Sequence, residues 1–256
     1  MRSCQEAPRV AEAFKPIAIR PPSDSPVLFA VRCCVDLQLL TMVRFLRPVL
    51  AGCRGRVLDV GAGEAPWREL ITQAEYVGLD VHGAGEFGMR RRADIVYYDG
   101  YTVPFADASF DHVLSVEVLE HVPDPAAFLA ELMRVLRRGG SLIMTIPWSA
   151  RLHHLPHDYT RLTRYGLAAL LANAGCVSVR IDERGNDIAV IANKLVVLSV
   201  RLIRPKRAAH VLFTWPLAVL VAPVAVAFLV AAHGAIRWNW GSREDPLGYS
   251  VTAVKP

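Results

Sequence analysis

The chain has 256 residues, enough for one sizeable α/β domain with an appendage. Its 29 Lys+Arg against 24 Asp+Glu give a net charge of only +5, and no long basic run exists to track a duplex, so a nucleic-acid partner is not expected. Hydrophobic residues reach 53% while charged residues stop at 21%, more apolar than an ordinary soluble core requires. The five cysteines have no metal-ligand spacing and read as reduced thiols, and the first residues lack the continuous apolar run of an export signal.

Residues 1–26, interrupted by five prolines, read as a poorly ordered N-terminal segment. Between Val27 and Leu50 apolar residues recur at three- and four-residue spacing, which predicts helix. Arg56-Val57-Leu58-Asp59-Val60 is a short buried strand, Gly61-Ala62-Gly63 the turn after it, and Glu64 to Gln73 a helix with Pro66 in its first turn. Further strands are expected at 75–80, 93–98 and 110–115. An amphipathic helix over 125–137 is closed by Gly139-Gly140, followed by a strand at 141–146, a helix at 163–174, a strand at 176–182 and a last strand at 248–254. Strands alternating with helices or long crossovers predict an α/β fold, a Rossmann-like, seven-stranded and mostly parallel sheet flanked by helices. An apolar helical insertion, 186–246, precedes the last strand and separates two parts of one domain, 27–185 and 247–256.

The strand-to-turn segment around Gly61 and Gly63 carries the first functional argument. A chain that turns sharply under an approaching ligand needs residues without a Cβ. Asp80 ends the second strand, where a carboxylate can accept both ribose hydroxyls of an adenosine. A dinucleotide fingerprint would place a third glycine three residues after Gly63, but Pro66 stands there, which disfavours a pyrophosphate-bearing cofactor.

Taken together, Leu58-Asp59-Val60-Gly61-Ala62-Gly63, Gly78-Leu79-Asp80, Asp99 with Val103-Pro104-Phe105, Ser109-Phe110-Asp111, Val118-Leu119-Glu120-His121-Val122 and Leu136-Arg137-Arg138-Gly139-Gly140 resemble the class I methyltransferases of the type 11 group. The likeness runs from about Arg56 to Gly175. It implies S-adenosyl-L-methionine as cofactor, with Gly61 and Gly63 passing its methionine part, Asp59 helping to anchor the amino end, Asp80 on the ribose, Asp99 at the adenine amino group and Ser115 beside the methionine. Ala65 departs from the pattern, since many relatives have a small glycine there.

Methyl transfer from a sulfonium needs chiefly alignment, so no catalytic triad is required. His121, after the fourth strand, is the candidate base. Glu117, Glu120 and His121 also resemble a metal-binding set of the ubiquinone O-methyltransferases, but helix-start charges explain the two glutamates better, and no metal is expected. His154, His157, Tyr159 and Arg161, in the stretch after the fifth strand, are candidate substrate contacts, by likeness to the lid or pocket wall of similar proteins.

Val211 to Ala232 is uncharged and long enough to cross a bilayer. Yet strands six and seven must lie in one sheet, and basic residues flank the run on both sides: Arg201, Arg204, Lys206 and Arg207 before it, Arg237 and Arg243 after it. A single span fits neither fact. The expectation is a helical pair docked on the inner face of a membrane, making this a peripheral, cytoplasmic methyltransferase of a small-molecule or lipid-linked acceptor. Alternatives are an NAD(P)-dependent oxidoreductase on a similar fold and a non-catalytic membrane-associated adaptor.

Overall fold

The computed structural model describes residues 16–205 and 207–256. Residues 1–15 of the N-terminal segment therefore lie outside the described part. Residues 16–19 run beside the first helix, where the Arg32 guanidinium donates to the carbonyls of Ile17 (2.7 Å) and Ala18 (2.8 Å).

The helical pattern over 27–50 resolves into two helices, α1 (Pro26–Val35) and α2 (Leu37–Ala51), bent by 115° at Asp36. Asp36 is extended and its carboxylate accepts from the Leu39 amide at 3.1 Å, so it caps a new helix instead of continuing the old one. The two helices have different fates. α2 buries Leu37, Leu39, Met42, Leu46 and Leu50, each worth about 1.5–3 kcal/mol. α1 buries nothing completely and leaves Val27, Leu28 and Val31 exposed.

Seven strands form one sheet in the order β3-β2-β1-β4-β5-β7-β6. They are β1 (Gly55–Val60), β2 (Ala74–Val81), β3 (Ile95–Tyr98), β4 (Phe110–Val116), β5 (Leu136–Pro147), β6 (Val177–Arg184) and β7 (Gly248–Val254). The first five run parallel, and β7 is antiparallel to both of its neighbours. α2, Trp67 and Ile71 pack on one face with Val57, Leu114 and Ile143. α3 (Pro125–Val135) and α4 (Arg164–Asn173) cover the other face, over Leu58, Val60, Phe110 and Val113. The strand order reverses between β1 and β4, and a crevice opens there beyond their carboxyl ends.

Two expected elements come out differently. The helix over 64–73 is a loop with a single 3-10 turn at Arg68–Leu70. Ala65 takes a left-handed φ of 56°, incompatible with a right-handed helix, and Trp67 is drawn into the core. Ala65 thus adopts a backbone conformation suited to the glycine that many relatives carry. Gly139-Gly140 does not end α3, which stops at Val135. The glycines lie within β5, and the Gly139 amide donates to the Lys255 carbonyl at 2.8 Å.

The insertion is a hairpin of α5 (Asp187–Ile203) and α6 (Val211–Trp238), rooted between β6 and β7. Asn186 caps α5 through the Ala189 amide. Ala189, Val190, Ala192, Ala232 and Leu247 pack the root against Leu37 of α2. Beyond the root α6 packs along α5, with Ala218 and Ala225 buried, and leaves Leu212, Phe213, Leu220 and Val230 exposed. It is long and apolar enough to cross a membrane, and only 17% of its most apolar stretch is buried within the fold.

Candidate functional site

Gly61 has φ +79°, and a Cβ there would stand 2.3 Å from Val118 Cγ2. The position therefore demands glycine twice, for the turn and for the approach of the β4 loop. Gly63 is also left-handed, at φ +55°. Its amide donates to Asp80 Oδ2 at 2.7 Å, and Asp80 Oδ1 accepts from the Val81 amide at the same distance. Asp80 is buried, and this desolvation pushes its carboxyl up while the two amides pull it back. Each oxygen keeps a lone pair for a hydroxyl.

Above this bend lies a cavity of about 550 Å³, lined by Gly61, Gly63, Asp80 and Asp99 on one side and by His121, His154 and His157 on the other. Asp99 is exposed at its end and accepts from the Tyr101 and Thr102 amides, which hold its carboxyl below the usual range. Seven of the eleven residues expected at the site thus share one cavity.

The other four do not line it. Ser115 is fully buried below the cavity floor. Asp59 is 1% exposed and faces Tyr76, whose hydroxyl donates to Oδ2 at 2.8 Å. In a strand, neighbouring side chains alternate faces, so Asp59 joins Val57 on the α2 side of the sheet. Tyr159 is exposed and its hydroxyl meets His157 Nδ1 at 3.1 Å. Arg161 is spent on Asp158, with contacts of 2.5 and 2.8 Å.

Several lining residues had no sequence signal beyond position. The loop after Asp80 folds over the cavity, with Phe87 edge-on to His154 at 5.3 Å and Met89 Sδ beside Gly63. Arg90 anchors this loop to the buried carboxylate of Glu64 at 2.7 Å. Residues 16–19 and Arg32 form a further wall.

The electrostatics of the floor make a pH prediction. Burial pushes the Asp59 carboxyl up to about 7; the Tyr76 hydroxyl opposes the rise and Asp80 adds to it. A carboxyl raised in the folded state contributes stability that is complete below the unfolded value, near 4, and is lost as pH climbs through 7. Asp59→Asn should equal the wild type near pH 3 and pull ahead of it progressively between pH 4 and 7, by up to about 4 kcal/mol at pH 8. Urea denaturation of both proteins across that range checks this; parallel stability curves would rule it out.

Burial also holds His121 and His154 down to about 4, so both rings are neutral near pH 7. The Glu117–Glu120–His121 set of the ubiquinone enzymes does not assemble, because Glu117 Oε1 accepts from the buried Arg184 at 2.7 Å. Instead the donor atoms of His121, His153 and His154 lie within 4.8 Å of one another, where no metal was expected.

Residues 58–144 match the family model described as a methyltransferase domain. The chain is 41% identical over 99 residues to phthiotriol/phenolphthiotriol dimycocerosates methyltransferase 1 of Mycobacterium ulcerans, 35% of this chain and 36% of that protein. It is 42% identical over 94 residues to the demethylmenaquinone methyltransferase of Renibacterium salmoninarum, 35% of this chain and 40% of that one. The alignments thus span well under half of those relatives. Among solved structures, the [4+2]-cyclase SpnF superposes with a TM-score of 0.52 at 19% identity, covering 86% of this chain and 82% of its own. A chain from the complex of the Haloferax volcanii Trm112 methyltransferase activator with a methyltransferase gives 0.51 at 17%, covering 93% and 98%. Such structural likeness establishes the fold alone, and the cyclase shows that the fold serves more than one reaction. The sequence match takes in the glycine bend, Asp80 and the β4 loop, and makes residues 58–144 similar to the S-adenosylmethionine-dependent methyltransferase domain of the type 11 group.

Proposed function

We propose that this protein transfers a methyl group from S-adenosylmethionine to a lipid-linked or small apolar acceptor at the inner surface of a membrane. The observation that carries the reading is the cavity in which the Gly61–Asp80 bend faces a wall of imidazoles, with residues 16–19 and Arg32 of α1 at its side. The residues fit the cofactor. Gly61 and Gly63 line the cavity without side chains, Asp80 has lone pairs for a ribose, and no third glycine is present to cradle a pyrophosphate. When bound, the cofactor supplies an activated methyl group on a sulfonium, so the chain's own task is to exclude water and align the acceptor. The loop carrying Phe87 and Met89 suits the first task, and His154 and His157 across the cavity suit the second.

The membrane part of the reading rests on α1 and α6. The cavity wall at 16–19 and Arg32 continues into α1, whose Leu28 and Val31 are exposed, and the α1 end meets α6 where the Cys34 carbonyl lies 2.8 Å from His233 Nε2. From there Val230, Leu220, Phe213 and Leu212 extend the apolar face, with Trp215, Trp238 and Trp240 at its margins. Both ends of the hairpin return to one sheet, which favours lying in one leaflet over a single crossing. The Mycobacterium ulcerans relative is named for a lipid acceptor, which agrees with this reading.

The test is label transfer from methyl-labelled S-adenosylmethionine into a membrane lipid extract by the purified full chain. Incorporation is expected, and its absence with every extract fraction, in a chain without affinity for S-adenosylhomocysteine, overturns the reading. The chain is also expected to sediment with vesicles of phosphatidylcholine and phosphatidylglycerol. Phe213→Asp with Leu220→Asp should weaken this at least tenfold, since each buried charge costs roughly 2.5–3.5 kcal/mol. Equal sedimentation of both proteins would count against docking through α6.

A further inference from the structure

His121 sits on the turn after β4, and His153 and His154 sit in the loop after β5. Their hydrogen bonds fix where the ring protons are. His121 Nδ1 lies 2.5 Å from the His157 carbonyl, and His153 Nδ1 lies 3.0 Å from the Arg151 carbonyl. A carbonyl only accepts, so the tautomer that satisfies both carbonyls puts the hydrogen on each Nδ1 and leaves each Nε2 bare, with Arg161 Nη2 standing 3.4 Å from His153 Nδ1. Yet these two bare nitrogens face each other at 3.2 Å. Behind them lies Glu120, completely buried, with neither carboxylate oxygen hydrogen-bonded. Its Oε1 is 3.6 Å from His121 Nε2 and 3.9 Å from His153 Nε2. The His154 ring stands 5.2 Å from each of the other two, centre to centre.

Two imidazole nitrogens and a carboxyl oxygen therefore lie within 3.9 Å of one another, with no donor from another residue bonded to them among the described residues. Unsatisfied buried groups of this kind are costly, and a cation at their centre removes the cost. Arg161 directs its terminal nitrogens to both oxygens of Asp158 and to the Thr160 and Arg151 carbonyls, and neither bonds to Glu120.

We propose that His121, His153 and His154, backed by the Glu120 carboxylate, form a zinc site in the wall of the cavity. The spacing suits it. Tetrahedral zinc with nitrogens at about 2.0–2.1 Å sets neighbouring ligand nitrogens roughly 3.4 Å apart, close to the observed pair. So does the outer shell, since metal-ligating imidazoles characteristically give their other N–H to a backbone carbonyl. Three imidazoles and one carboxylate favour zinc over magnesium, which prefers oxygen ligands and water. The set differs from the ubiquinone-type arrangement in replacing Glu117, which Arg184 holds, by two histidines from another loop. Under the methyl-transfer reading the ion borders the space of the acceptor, but zinc binding itself does not depend on that reading.

The experiment uses the full chain, stripped with a chelator and titrated with zinc chloride by calorimetry, with metal content after gel filtration measured by mass spectrometry. One zinc per chain is expected. Cobalt(II) in its place should give the visible bands of a low-coordinate site. His153→Ala and His154→Ala should each weaken zinc by more than the 10–100-fold typical of losing an outer-shell partner, whereas the exposed His210→Ala should not. Unfolding temperature and S-adenosylhomocysteine affinity, measured on the stripped proteins, show that each variant is folded. A folded wild-type chain that binds S-adenosylhomocysteine but no zinc overturns the site. So does stoichiometric zinc retained in both histidine variants. Zinc binding without S-adenosylhomocysteine binding leaves the site standing and overturns the cofactor reading instead.

Discussion

Asp80→Ala is expected to weaken S-adenosylhomocysteine binding by two to four orders of magnitude. Two hydroxyls lose a charged acceptor, and each such bond is worth about 1.5–3 kcal/mol. The Gly63 amide also loses its acceptor, so the bend that must stay open for the ligand loosens at the same time. Asp80→Asn should lose less, because the amide oxygen can still receive the Gly63 N–H while the charge is gone. Calorimetric titration of the three proteins at one pH separates these effects. An Asp80→Ala protein with unaltered affinity and an intact unfolding transition would mean that the cofactor lies elsewhere.

The second large effect is expected far from the cavity mouth. Arg184→Met should destabilise the protein by about 3–5 kcal/mol, because it removes the buried partner of a carboxylate. The guanidinium is 3% exposed and bridges four elements. It donates to Glu117 Oε1 (2.7 Å), the Tyr249 carbonyl (3.2 Å), the Gln38 carbonyl and Thr41 Oγ1 (both 3.3 Å), and the Ile146 carbonyl (3.4 Å). Gly248 makes room for it, since a Cβ there would stand 2.5 Å from Nη2. Glu117 is itself held left-handed at φ 53°, so the same guanidinium secures the backbone from which His121 is presented. A fall in melting temperature of roughly 10 °C follows for a domain of this size. Adding Glu117→Gln to Arg184→Met should recover part of the loss by removing the orphaned charge. A single variant within about 1 kcal/mol of wild type, measured by reversible urea denaturation, would show that water replaces the guanidinium.

Much of this was legible along the chain. The strand positions, the glycine bend and Asp80 depend on neighbours in sequence, where periodicity, Cβ sterics and turn chemistry act. That Ser115 and Asp59 lie off the cavity lining was not legible, because a motif gives position along a strand, while the pleat decides which face a side chain takes. The helix predicted at 64–73 failed for a similar reason. Its apolar residues fit a helical period, but Ala65 turns left-handed and Trp67 is drawn into the α2 core, and tertiary packing outweighs weak local propensity.

The sequence by itself determined the order of strands and helices, the open turn after β1, the carboxylate after β2 and an apolar run too long for an ordinary core. Those features are local and survive any arrangement of the rest. Only the tertiary structure decided that His121 meets His153 and His154 across 32 and 33 positions of chain, that Glu117 belongs to Arg184, and that α6 leaves its apolar face uncovered. Such pairings are set by which loops share one end of the sheet, and strand order is a property of packing that no stretch of residues carries alone.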